Sequence, residues 1–136
     1  MVEFIGLEDF LLFSEAILGV PAHDLYRTSD IALAAAAVGA PDASIEGYEA
    51  HTTLAEKAAV MTHRLCVGKP LLFGNQRVAY VLLQEFLARN GCAWVEPAGD
   101  TENGDESAKV LWRISTGELS QPELTEWISR YIQESP

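Results

Sequence analysis

The stretch from Gln76 to Arg89, QRVAYVLLQEFLAR, is the part of this chain that most limits how it can fold. Val78, Ala79, Val81, Leu82, Leu83, Phe86 and Leu87 cover more than one face of a 3.6-residue period. A helix that is apolar nearly all round lies at the buried centre of its domain. Gly74-Asn75 before it and Asn90-Gly91 after it supply the start and stop signals. A chain of 136 residues is long enough to cover one such helix and too short for a second core. The expectation is a single domain over 1–136.

The covering elements are readable in turn. Leu7, Phe10, Leu11, Ser14, Ile17 and Leu18 fall at helical spacing until Gly19 and Pro21 end the run. VPAHDLYR reads as a short turn, leading to Thr28, Ser29 and Asp30 as cap candidates for the helix IALAAAAV. That helix stops at Gly39-Ala40-Pro41, and residues 41–52, which have no period, read as an exposed loop. Thr53-Leu54-Ala55-Glu56 is a capping box opening a helix with Leu54, Ala58, Met61 and Leu65 on one face, broken by Gly68 and Pro70. Beyond the central helix, residues 92–97 read as one short strand and are followed by a polar, acidic loop. A helix from about Ala108 to Ile114 comes next. The last helix starts at Ser120, a second capping box with Pro near its first turn, and buries Leu124, Trp127, Ile128 and Tyr131. The pattern predicts an all-α bundle of about six helices with little or no sheet.

Charge narrows the function. Nine basic against 20 acidic residues give a net −11. That argues against non-specific binding to nucleic acid or an anionic membrane, where phosphates must be neutralised by clustered Lys and Arg. No apolar run reaches the roughly 18 residues a membrane helix needs. The start, MVEFIGLEDF, has no basic segment, sustained apolar core or cleavage site, and Cys66 and Cys92 lack CxxC spacing. The expectation is a cytoplasmic protein with two reduced cysteines.

Within this acidic chain, residues 58–92 carry Arg64, Lys69, Arg77 and Arg89 against the single acid Glu85. The island is centred on a Gly-containing loop that enters a helix, an arrangement suited to an anion. Gly74 lets backbone approach closely, Asn75 can cap or hold a ligand, and the amides of the next turn point at a bound phosphate. Arg77, in that turn, can add a bidentate contact. An ordinary helix start with solvated cations has the same local sequence. His23, His51 and His63 lack the i, i+4 spacing of a metal pair. Asp100, Glu102, Asp105 and Glu106 lack the alternating ligands of a calcium loop and read as a solvated, mobile segment. No metal site is expected.

The stretch TLAEKAAVMTHRLCVGKPLLFGNQRVAYVLLQEFLARNG resembles the core of the Fic/Doc (fido) family, in particular its short Doc branch, the death-on-curing toxins. That branch reads roughly TLxEKAAxLxHxL, then HPFxDGNKRTA, then an apolar helix ending LxxNG. Thr53, Leu54, Glu56, Lys57, Ala58, Ala59, His63 and Leu65 match the first part, Pro70, Gly74, Asn75, Arg77 and Ala79 the second, and Phe86, Leu87, Asn90 and Gly91 the third. GLEDFLLFSEAILG and GELSQPELTEWI are similar to the first helix and the tail of that branch, so the likeness covers nearly the whole chain.

The resemblance implies a fido-type bundle and transfer of AMP or phosphate from ATP, with Mg²⁺, to a hydroxyl of a protein target such as a translation factor. It also implies a small antitoxin as partner, a structural hydrogen bond from His63, and a flap over the target peptide at residues 41–52; His51 in that loop reads as a solvated histidine, with a displaced base as the alternative. The departures are chemical. Lys69 stands where the family has its catalytic His, and Phe73 where it has the acid that holds the metal; Leu71, Gln76 and Val78 replace Phe, Lys and Thr. A lysine is an ammonium at neutral pH with no lone pair to take a proton, and phosphoryl transfer needs a metal that Phe73 cannot ligate. Gly74, Asn75, Gln76 and Arg77 remain as a cradle for ATP or another phosphate ligand, with Lys69 as an added cation. Two readings follow: a Doc-like toxin with impaired or altered transfer, or a catalytically silent fido domain that binds a phosphate-bearing ligand or a protein partner.

Overall fold

The computed structural model describes residues 1–100 and 105–134. Seven α-helices carry the fold among these residues: α1 Leu7–Leu18, α2 Ala22–Thr28, α3 Ile31–Gly39, α4 Leu54–Gly68, α5 Asn75–Arg89, α6 Asp105–Ser115 and α7 Gln121–Tyr131. Four very short strands form two antiparallel pairs, β1 Ser44–Ile45 with β2 Tyr48–Glu49, and β3 Cys92–Trp94 with β4 Ile132–Glu134. The architecture is the all-α bundle the periodicity predicts.

α5 buries Val78, Ala79, Leu82, Leu83, Phe86 and Leu87 and packs on α1, α4, α6 and β3. It shares the centre with α4, which touches α3, α5, α6 and α7. Eight residues of α4 are buried, Lys57 among them. The small side chains of Ala58 and Ala59 leave little standing between α4 and its neighbours, so several helices reach it at once.

Local chemistry sets the helix ends. Asp30 accepts from the Leu33 amide at 3.0 Å, Thr53 from that of Glu56 at 3.1 Å, and Ser120 from that of Glu123 at 3.3 Å. The box at Ser120 closes reciprocally, with the Glu123 carboxylate accepting from the Ser120 amide at 3.1 Å. At Thr53 the return arm lands one residue earlier: Glu56 accepts from the amide of Thr52 at 3.1 Å.

Four expectations are corrected. VPAHDLYR is helical over Ala22–Thr28, because Pro21 pre-sets the N-cap and Leu25 is buried beneath the turn. The 41–52 segment is exposed over 42–49 but starts from a buried Pro41 and contains the β1–β2 hairpin, whose turn residues Glu46 and Gly47 both have positive φ, 51° and 85°. The strand expected over 92–97 stops at Trp94 and pairs with β4, for which the sequence carries no strand signal, Cys92 facing Glu134 and Trp94 facing Ile132. The helix expected from Ala108 begins at Asp105. Around β3, Trp94 packs against Tyr80, Trp127 and Tyr131 with ring centroids 5.2–6.1 Å apart. The Trp94 indole donates to the Tyr80 hydroxyl at 2.8 Å.

Candidate functional site

The loop between α4 and α5 is shaped by its own backbone. α4 ends at Lys69 in the left-handed region (φ 53°, ψ 62°), its amide donating to the Leu65 carbonyl at 3.1 Å. The Pro70 carbonyl accepts from the Asp30 amide at 2.9 Å, which ties the loop to the start of α3. Leu71 points into the core, while Leu72 and Phe73 stand in solvent, 77% and 55% exposed. Gly74 then turns left-handed at φ 78°, and a Cβ there would sit 2.3 Å from Leu18 Cδ2. Both the dihedral and the packing demand glycine.

Lys69, Gly74, Asn75, Gln76 and Arg77 are brought together around one cleft of about 310 Å³, with Cys66 beneath them. The amides of Asn75, Gln76 and Arg77, at the first turn of α5, have no acceptor among the described residues. Lys69 and Arg77 make no ion pair among the described residues; Arg77 only touches the Ile17 carbonyl at 3.3 Å. Unneutralised cations beside the positive end of a helix create a local field favourable to an anion. Gln76 Nε2 donates to Ser115 Oγ at 3.2 Å and joins the cleft wall to α6. Burial pushes the Cys66 thiol up to about 12, opposed by the nearby Lys69 ammonium, so it is a neutral lining group at physiological pH.

Asn75 serves the loop itself. Its Oδ1 accepts from the Leu71 amide and its Nδ2 donates to the Leu71 carbonyl. Arg89, the fourth cation of the island, is spent elsewhere, bridging Asp9 at 3.1 Å and Glu85 at 3.1 Å. It holds the Asp9 carboxyl below the usual carboxylate range, helped by the Gly6 amide. The lining offers a hard cation no carboxylate; of its two side-chain amides, Asn75 already uses its oxygen on the Leu71 amide, and Gln76, tied to Ser115 through its Nε2, offers a single neutral oxygen. This donor set does not fit Mg²⁺, which takes carboxylates and water.

The other candidates lie elsewhere. His63 is partly buried, and desolvation, with Arg64 alongside, lowers its pKa. It makes no hydrogen bond among the described residues, so the expected structural bond is absent; it lines a second, more apolar cleft with Arg64, Val67 and Leu33. His51 faces a third depression beside Glu56 and Gln121 and is not joined to Lys69. His23 sits in solvent 3.4 Å from Asp24. Of the acidic segment, Glu102 lies outside the described residues, and the rest is less free than its composition implies. Asp100 accepts from both the amide and the hydroxyl of Ser107, at 2.8 and 2.7 Å, and Glu106 accepts from the Gly99 amide at 3.1 Å. Among the described residues no three His, Cys, Asp or Glu side chains group as a metal would need. None of the described helices is long and apolar enough to cross a membrane.

No family model matches the sequence. Over 91 residues, 67% of this chain and 67% of the relative, it is 32% identical to Toxin Doc of Mycolicibacterium smegmatis. The chain belongs to the Doc toxin family. Two residues of this Doc-family fold carry structural weight that sequence reasoning missed. Cys66 forms the floor of the cleft, and Lys57 is 3% exposed. The signal for Lys57 was its position, three residues after Leu54 and four before Met61, on the inward stripe of α4.

Proposed function

We propose that this protein is the toxin-type member of a toxin–antitoxin pair in which the α4–α5 cleft binds the phosphates of a ligand such as ATP, while AMP or phosphate transfer to protein hydroxyls is lost or altered. One observation carries the reading: Lys69, Arg77 and three free amides line a single cleft and have no anionic partner among the described residues. Phosphate oxygens are the natural complement of such a set. The residues themselves bind and orient. Arg77 and the first-turn amides hold one phosphate, and Lys69, across the cleft, adds charge where the family has a proton acceptor. An ammonium cannot take the proton of an attacking hydroxyl.

The second reading, a silent domain whose role is binding alone, is favoured by Phe73. It is half exposed at the place of the family's metal-holding acid, and the cleft contains no carboxylate to replace it. On either reading the β1–β2 hairpin corresponds to the flap that the family resemblance places over a target peptide, the target coming from the translation machinery and the controlling partner being a small antitoxin. Incubation with labelled ATP, Mg²⁺ and cell lysate separates the two. Label on a protein that is absent with Arg77→Ala establishes transfer; binding without label supports the silent domain. Growth arrest on expression, relieved by a neighbouring small gene product, supports the toxin role.

A further inference from the structure

We propose that Lys57 is the positioning residue of the β1–β2 hairpin, holding it as an arm clamped to α4 at its base only. The functional weight of this rests on the hairpin being the target-facing flap, but the geometry stands by itself. Residues 42–49 are exposed throughout, with Ile45 and Tyr48 at 68% and 79%, so apolar packing does not hold the hairpin on the body. At its base Ala50 donates to the Ala43 carbonyl at 2.9 Å. Just beyond that bond lies the Lys57 ammonium, which donates to the carbonyl of Pro41 at 3.3 Å on the entering side and to that of His51 on the leaving side. The carboxylate of Glu49, in β2, lies 3.8 Å away.

One buried cation therefore bridges both ends of the segment and reaches into its second strand. The next residue back along α4 adds to the grip, because Glu56 accepts from the amide of Thr52. Burying an ammonium is costly unless its protons are satisfied. Here the satisfying groups are the backbone of the arm itself, so the fold of α4 and the placement of the arm are coupled. Removing the ammonium strands two inward-facing carbonyls. The arm then gains by swinging out to hydrate them, while the helices keep their apolar contacts.

The test is amide hydrogen exchange on the full chain for wild type, Lys57→Met, Lys57→Arg and Lys57→Gln. In the Met variant the amides of Ser44 to Ala50 should exchange at least tenfold faster, with those of α5 within twofold of wild type. Arg, which keeps a cation able to reach both carbonyls, should restore most of the protection, and Gln, with a single shorter donor, should fall between. If Lys57→Met does not fold, the Arg and Gln variants decide. Unchanged hairpin exchange, or a loss spread evenly over α4, α5 and the hairpin, would overturn the proposal. A phosphate titration at Gly74–Arg77 in the same variants reads the cleft separately, so a failure of the ligand reading is distinguishable from a failure of the clamp.

Discussion

Asn75 and the backbone of Leu71 satisfy one another completely: Asn75 Oδ1 accepts from the Leu71 amide at 2.8 Å and Asn75 Nδ2 donates to the Leu71 carbonyl at 2.9 Å. The pair closes a small ring across the mouth of α5. It holds Leu72 and Phe73 in an outward bulge and leaves the amides after Gly74 facing the cleft. The asparagine of the Gly-Asn-x-Arg sequence therefore builds the loop that presents the binding groups.

Asn75→Asp tests this arrangement by changing one atom. Aspartate keeps the acceptor but loses the donor, and sets a carboxylate against the Leu71 carbonyl. A part-buried polar group left unpaired costs about 1–3 kcal/mol. Thermal unfolding should shift down by several degrees, and the amides of Leu71 to Gly74 should exchange faster. An unchanged melting temperature would mean the ring contributes nothing.

Arg77→Ala should weaken binding of pyrophosphate or ATP roughly tenfold or more, since it removes a charge-assisted donor from a weak, salt-screened site. Wild-type affinity should be on the order of millimolar. Amide NMR of Gly74, Gln76 and Arg77 reads both. The same shifts should appear without Mg²⁺, because no lining carboxylate needs screening from the anion. Absence of shifts at tens of millimolar pyrophosphate would leave the loop as a shape without a ligand.

Lys69→His by itself should not yield labelled product from ATP and lysate, because the proton acceptor returns without a metal ligand. Lys69→His combined with Phe73→Asp supplies both groups and should give detectable transfer. Robust transfer by the single variant would show that position 73 is dispensable.

Asp9 sets a pH limit on stability. Its carboxyl is held below its ordinary value by Arg89 and by the Gly6 amide, both in hydrogen bonds. A depressed folded value means that its contribution is complete above the unfolded value of about 3.9 and fades as pH falls through the lower folded one. Denaturant midpoints followed from pH 6 to pH 2 should drop less steeply in Asp9→Asn, which is already less stable at pH 6. Parallel curves would remove Asp9 from the acid transition.

Cys66 should be inert in the native protein. With its thiol at about 12 and its side chain buried, almost no thiolate is present or accessible at pH 8. Mass spectrometry after iodoacetamide should show Cys66 modified only once denaturant unfolds the chain. Rapid native labelling would show that the cleft floor opens.

Elements whose signals are local were legible in the sequence. The caps at Asp30, Thr53 and Ser120 need only a side chain and an amide three residues on, and α5 announces itself by being apolar on several faces. What escaped depends on distant partners. β4 is called into being by β3 nearly forty residues earlier and has no alternation of its own. α2 is seven residues long and buries only Leu25, too little for a period to show. At the cleft, the clustering of Lys69 with Gly74–Arg77 followed from their closeness in sequence. The engagement of Arg89 with Asp9, eighty residues away, did not, because an ion pair across the fold leaves no trace in spacing.

The late pairing of β3 with β4 has a consequence for how the chain emerges from synthesis. The cleft-lining residues and Leu18, against which Gly74 is fitted, all precede β3, whereas the aromatic knot around Trp94 cannot close until Trp127, Tyr131 and Ile132 exist. At ribosomal rates of about 5–20 residues per second, making those roughly 40 residues takes several seconds. During that interval Trp94 and the outer face of α5 are open to whatever else is nearby. A nascent chain of this kind has a cleft nearly built before the seam that seals its core.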